Sequence, residues 1–524
     1  MEQSAANGHR EVVRLMQARE WHAAQSACRR LTARHPSFAP AWFAASRIAL
    51  AMRLPREALE AADRAVEIEP ANLGFLLLRG QCLMALGRRA EVLAATDAAA
   101  PLAGSDPRAW DAIGTLRSYA ADQPGALGAY DRAVALAPQN PALLFNRASV
   151  RRFVGDFEGA EADYDRAIAL QPTDYEAYLN RSHLRVQTAA RNHVAELERL
   201  IREARLEPRA EVELRFALAK EHEDLGHYAI SFEHLHRGAA LRRQRMSYEV
   251  AIDVATVGWI MSAFPCAPTE ALAAASPEDP IFIVGLPRSG STVVERILAS
   301  HSALSSAGEL DCFARALVDA AERKSGGAHL PRERLVGLSA TLDFAALGGD
   351  YLGRARAASG VAGRFIDKMP LNYLYCGLIR RALPRAKIIH VTRNPMAQGY
   401  AMYKTLFKDG YPFSYDLGEI AQYYLAYRRL MQHWRTTMPG SIHEVSYESL
   451  IADQRAETRK LLEYCGLEWE DACVEFHRNP RATTTASASQ VRRPLYASSV
   501  SQWRHYEVQL TELRNGLAAG GILE

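Results

Sequence analysis

The 524-residue chain has few cysteines, little excess charge of either sign and no long apolar run, and each shortage closes off a class of function. Its seven cysteines, at 28, 82, 266, 312, 376, 465 and 473, are scattered and form no CxxC pair. That excludes a disulfide framework or a zinc site of the usual spacing and reads as reduced thiols. The formal net charge is only +3, so bulk electrostatics give no reason to expect a nucleic-acid partner. No apolar run is long enough to span a bilayer, and the opening MEQSAANGHREVVRLMQ lacks the apolar centre of a signal peptide. The expectation is a cytoplasmic protein without membrane or nucleic-acid partners. What is present looks globular: 48% hydrophobic and 23% charged residues argue against disorder, and the length exceeds what one core usually supports.

The first half repeats itself. Prolines at 36, 70, 138 and 172 are separated by 34, 68 and 34 residues, and bulky residues keep the same step at Trp42, Leu76, Trp110, Leu144 and Tyr178. Small residues follow at Ser46, Gly80, Gly114, Ala148 and Ser182, and alanines at 65, 99, 133 and 167. Small side chains let paired helices approach closely, and each pair buries its apolar face only against the next. This 34-residue unit resembles the tetratricopeptide repeat. Four to five repeats are expected between about residues 10 and 188, the third imperfect because Gly104 stands where the closing Pro belongs. From 189 to 262 the pattern stays helical but leaves the period, with Gly226 as a further turn between helices. CAPTEALAAASPEDP, residues 266–280, reads as a linker. The division expected is a repeat solenoid over 1–188, a helical cap and linker over 189–277 and a second domain over 278–524.

That second domain opens with IFIVG, residues 281–285, an apolar run of the buried-strand kind, then LPRSGST and the helix-like VVERILASH. Strand, glycine loop and helix together make a phosphate-binding loop credible. Gly285 and Gly290 have the spacing of a nucleotide P-loop, but Ser291 replaces its lysine and the cation stands inside the loop, at Arg288. Without that lysine, hydrolysis of a magnesium nucleotide is disfavoured. Loop amides, an arginine and two hydroxyls suit a compact dianion such as a 5′-phosphosulfate. KIIHV, residues 387–391, is a second buried strand that delivers Arg393 near its carboxyl end, and IHEVSYESL is a third that leads to Tyr447.

In this order PRSGST, DKMP, TRNP, SYESL and SASQVRRP resemble the sulfotransferases that use 3′-phosphoadenosine 5′-phosphosulfate (PAPS). The likeness is nearer to bacterial tetratricopeptide-repeat sulfotransferases and more distant to tyrosylprotein sulfotransferases. It implies an N-terminal α-solenoid fused to a C-terminal α/β, P-loop-like parallel-sheet domain. It also implies a 5′-phosphosulfate held by Pro287, Arg288, Ser289, Gly290, Ser291 and Thr292, and a 3′-phosphate near Arg393. Many relatives carry a serine eight residues after that arginine where this chain has Ala401, so one phosphate ligand is either missing or supplied elsewhere, by Tyr447 or by Arg492 and Arg493.

The resemblance gives Lys368 and Ser487, with Ser489 as rival, to the bridging oxygen and leaving phosphate, where negative charge accumulates. It gives Glu309, 21 residues after Arg288, the proton of the acceptor. Small-molecule sulfotransferases use a histidine two residues after the lysine, a place taken here by Pro370. A phenol, with its pKa near 10, can lose a proton to a carboxylate only as the S–O bond forms. Trp503 either stacks on adenine or packs the core, and His301, His390 and His477 read as structural, so no metal is expected. The product would be adenosine 3′,5′-bisphosphate.

A solenoid offers a concave surface to peptides, so the first expectation is a tyrosine in a peptide or protein docked on the repeats, with room left for a homodimer. A glycan or small phenolic metabolite is the alternative acceptor, and residues 403–417, YKTLFKDGYPFSYDL, have the character of an acceptor-side loop. A kinase and a non-catalytic repeat scaffold with a degenerate nucleotide-binding domain are the rival readings.

Overall fold

A computed structural model of the chain describes residues 2–203, 205–266, 279–327, 329–408, 410–479, 495 and 498–522. They form two compact units, one built on Met1–Gln171 and the other on Pro172–Arg356 and most of the remaining chain.

The first unit is an α-solenoid of five helix pairs, from Glu2–Gln17 with Trp21–Arg34 to Pro141–Val154 with Phe157–Leu170. Each column of the 34-residue period has a physical cause. The aromatic residue donates to the carbonyl six residues earlier, where the proline stands: Trp42 Nε1 to Pro36 O at 2.9 Å and Trp110 Nε1 to Gly104 O at 3.0 Å. Tyr178 repeats the contact in the second unit, its hydroxyl 3.3 Å from Pro172 O. Gly104 therefore accepts the bond as well as the proline it replaces. A further column lies at Asn72, Asp106 and Asn140, whose side chains accept from backbone N–H groups of the first helical turn and so cap the first helix of a pair.

The small residues mark helix crossings. A methyl group on Gly80 would come within 2.8 Å of Leu116 Cδ1, and one on Gly114 within 2.9 Å of the Tyr130 ring. Gly114→Ala is expected to destabilise the repeats by about 1–3 kcal/mol, because overpacking moves a buried ring off its rotamer. A lower urea midpoint of the solenoid transition, followed by circular dichroism, checks this; an unchanged midpoint rules it out.

In the second unit the helices Pro208–Asp224 and Tyr228–Gln244 form a hairpin around Gly226, whose φ of +77° suits glycine. Residues 267–278 of the expected linker lie outside the described residues. The α/β part is a five-stranded parallel sheet: β1 (Ile281–Val284), β2 (Ser305–Gly308), β3 (Phe365–Asp367), β4 (Lys387–Thr392) and β5 (Ile442–Ser446), in the order β2-β3-β1-β4-β5. Both faces are covered, as parallel sheets require. Ile281, Ile283, Ile389, Val391 and Val445 pack with Val294, Ile297, Leu461 and Leu462. Phe282 meets Phe313 and Tyr351. The expected fold class, solenoid plus parallel-sheet α/β domain, is the one observed.

Candidate active site

All five strands run the same way, so their carboxyl ends share one edge, and each end delivers one of the residues singled out above. In spatial order these are Glu309 directly after β2, Lys368 directly after β3, the 285–290 loop after β1, Arg393 after β4 and Tyr447 after β5. Open α/β sheets bind ligands at this edge.

The loop is built by two glycines in conformations that suit no other residue. Gly285 has φ +149°, and a Cβ there would lie 2.6 Å from Val391 O of the neighbouring strand. Gly290 has φ +100° and opens the helix Ser291–Ala299, and a Cβ there would strike the Tyr447 ring at 2.4 Å. Between them Arg288 takes a left-handed φ of +65°, unusual for a residue with a side chain and typical of functional loops. Gly285 N–H donates to Pro370 O at 3.1 Å, which ties the loop to the segment that carries Lys368.

A phosphosulfate fits the chemistry of this loop. Ser289 is fully buried and its Oγ has no hydrogen-bond partner among the described residues, an uncommon state for an interior hydroxyl. Ser291 and Thr292 place two more buried hydroxyls at the start of the helix, where the dipole favours an anion. Arg393 is drawn up against the loop: its Nη1 donates to Arg288 O at 2.9 Å and its guanidinium lies 5.1 Å from the Tyr447 ring centre. The Tyr447 hydroxyl is 3.2 Å from Ser499 Oγ. Ala401 is buried in the helix Pro395–Tyr403.

Lys368 is 1% exposed and forms an ion pair with Glu309, whose own side chain is 46% exposed. Two carboxylates that the sequence did not single out complete the cluster. Glu295, from the helix Ser291–Ala299, has Oε2 3.7 Å from Lys368 Nζ and accepts from Ser306 Oγ. Asp367 is fully buried and accepts from the Tyr351 hydroxyl at 2.9 Å. Burial alone would lower the Lys368 pKa, but Glu295 and Glu309 hold it above its ordinary value. Burial pushes the Asp367 carboxyl up to about 7. Nothing in the sequence could pair Glu295 with Lys368, which comes two strands later in the chain.

The helical hairpin reaches the elements that follow β4. Glu223, on Pro208–Asp224, accepts from Lys404 Nζ at 2.7 Å, from the Tyr506 hydroxyl at 3.1 Å and from the Tyr400 hydroxyl. Its burial would raise its pKa, but Lys404 and the two phenols keep it below the ordinary carboxylate range. Tyr400 and Lys404 flank the end of the helix that comes after Arg393, and Tyr506 lies just beyond Ser499.

Ser487, Ser489, Arg492 and Arg493 lie outside the described residues. Trp503 is partly buried, with Arg504 5.8 Å from its ring centre. His301 contacts Glu468 O at 3.0 Å, and His390 is buried against Tyr427. Among the described residues no group of three or more His, Cys, Asp or Glu side chains is placed to hold a metal ion, and no helix is long and apolar enough to cross a membrane.

Comparison with known proteins agrees with the motifs. Residues 280–471 match the sulfotransferase family and residues 141–174 match the tetratricopeptide repeat. The chain is 36% identical over 249 residues to an uncharacterized protein of Aquifex aeolicus (strain VF5), covering 46% of this chain and 32% of that one. It is 23% identical over 242 residues to a protein-tyrosine sulfotransferase of Drosophila melanogaster, covering 43% of this chain and 46% of that one. The chain thus spans less than half the length of either relative. Among solved structures, a thermophilic tetratricopeptide-repeat protein of Thermus thermophilus aligns with 34% of this chain and 98% of its own at 20% identity, with a TM-score of 0.29. One chain thus carries a segment similar to the tetratricopeptide repeat and, after it, a region similar to the sulfotransferase family.

Proposed function

We propose that the protein transfers a sulfuryl group from PAPS to an acceptor hydroxyl, with a tyrosine of a peptide or protein as the first acceptor to test. The observation that carries this reading is the meeting of a lysine-free glycine loop, a buried lysine and a half-exposed glutamate on one sheet edge. PAPS supplies an activated sulfuryl group whose transfer leaves negative charge on the departing phosphate. Arg288, the loop amides and the hydroxyls of Ser289, Ser291 and Thr292 would hold that phosphate, and Arg393 and Tyr447 would hold the 3′-phosphate end. The Lys368 ammonium would stabilise the charge that develops on the bridging oxygen, and Glu309 would receive the acceptor's proton. The 23% likeness to a protein-tyrosine sulfotransferase supports tyrosine ahead of a glycan or a small phenol, and the repeats offer a docking surface for the peptide.

The donor half of this reading can be tested without knowing the acceptor. Adenosine 3′,5′-bisphosphate at a hundred times its Kd should raise the stability of the folded protein by about 2.7 kcal/mol. A melting curve should therefore move upward with the bisphosphate and stay still with ATP and magnesium, and Arg288→Ala should erase the shift. Stabilisation by ATP and magnesium instead would make the protein a kinase, and no shift with either ligand would leave a non-catalytic scaffold.

A further inference from the structure

The pairing of Lys368 with Glu309 poses a chemical problem. In sulfuryl transfer the ammonium has to face the leaving phosphate while the carboxylate faces the acceptor, so the two groups that now neutralise each other must part. Until that phosphate is seated, a lysine that is 1% exposed and deserted by Glu309 would lose both its charge and its place, because burial disfavours the ammonium.

Glu295 answers this. It approaches Lys368 from the helix that begins in the glycine loop, whereas Glu309 comes from beyond β2. Its carboxylate is fastened by the Ser306 hydroxyl and is 12% exposed, so it is less free to turn to solvent than Glu309. At 3.7 Å from the ammonium it lies beyond hydrogen-bond distance, so it leaves the N–H groups of Lys368 to other acceptors while the charge is still balanced. We infer that Glu295 is a positioning residue that holds Lys368 in place while Glu309 turns to the acceptor. This role rests on the sulfotransferase reading and adds to it a division of labour between two carboxylates, one that anchors and one that moves a proton. The other ionisable groups around the pair are Asp367, beside Lys368 at the end of β3, and Tyr411, whose phenol lies in the field of Glu309.

The test uses the full chain and compares wild type with Glu295→Gln, Glu295→Asp and Ser306→Ala, with PAPS and a tyrosine-containing peptide, from pH 7 to 12. Glu295→Gln should lower kcat about tenfold or more and leave KM for PAPS within about twofold. Its alkaline limb, where Lys368 loses its proton, should move to lower pH, because a carboxylate that favours the ammonium has been removed. Glu295→Asp, which keeps the charge, should restore part of both effects, and Ser306→Ala should move the limb the same way by less. If the peptide is not turned over, the same limb is read from the affinity for adenosine 3′,5′-bisphosphate across pH. A variant that melts lower but keeps the wild-type limb reduces Glu295 to a structural residue and overturns the inference. If Glu295→Gln does not fold, an unmoved limb in Ser306→Ala overturns it equally. A wild-type protein that binds no bisphosphate brings down the sulfotransferase reading and this role with it; wild-type turnover with an unmoved limb brings down this role alone.

Discussion

Replacing Lys368 by methionine is expected to lower kcat by about two to three orders of magnitude, or about 2.7–4 kcal/mol, the effect of removing one preorganised donor from developing charge. Methionine keeps the length and much of the volume of the side chain, so the packing around β3 should survive. Adenosine 3′,5′-bisphosphate should still bind, less tightly without the ammonium that faces its 5′-phosphate, since Arg288, the loop hydroxyls and Arg393 stay in place. Single-turnover kinetics with saturating PAPS separate this outcome from a binding defect. A variant with wild-type single-turnover rates removes Lys368 from the reaction. The lysine is held charged by carboxylates from two elements, and arginine at this position should not substitute, because its planar fork does not present the compact point charge of an ammonium.

The second large effect is expected at Glu309. Glu309→Gln should cost about 10²–10⁴ in turnover, the usual worth of a positioned general base, while leaving bisphosphate binding nearly intact. The loss should shrink as the acceptor phenol becomes more acidic, because a nitrophenol surrenders its proton without help. An equal loss for acidic and ordinary phenols would point to lost packing, and normal turnover would rule out Glu309 as the base. Lys368 and Glu309 touch, so the double variant should fall well short of the product of the single effects.

The sequence was most legible where periodicity or apolar runs carry the signal. The columns at Trp42, Trp110 and Tyr178 announced the solenoid because each residue repeats one contact, an aromatic hydrogen bond to the carbonyl six positions back. The capping column at Asn72, Asp106 and Asn140 has the same period but escaped notice, since polar residues at helix starts look like ordinary loop composition. IFIV and KIIHV read as strands from their apolar runs, whereas SSAG and FID did not: one has no bulky residue and the other only three positions, and both are strands because of the neighbours they pair with. Glu309 and Lys368 were found separately by their motifs. That they meet across 59 residues, with Glu295 and Asp367 beside them, follows only from the strand order.

Glu223 bears on how such proteins can be cut and recombined. It belongs by sequence to the helical run before the glycine loop, yet its three hydrogen-bond donors, Tyr400, Lys404 and Tyr506, all come from after it. A catalytic module excised at Pro280 would carry a half-buried ammonium and two buried phenols shaped around a carboxylate left behind on the other fragment. The joint at which repeats can be exchanged, by gene rearrangement or by design, therefore lies upstream of the hairpin that begins at Pro208. Arrays of different length or surface can be spliced there, while the hairpin travels with the sulfotransferase domain as part of its inheritance.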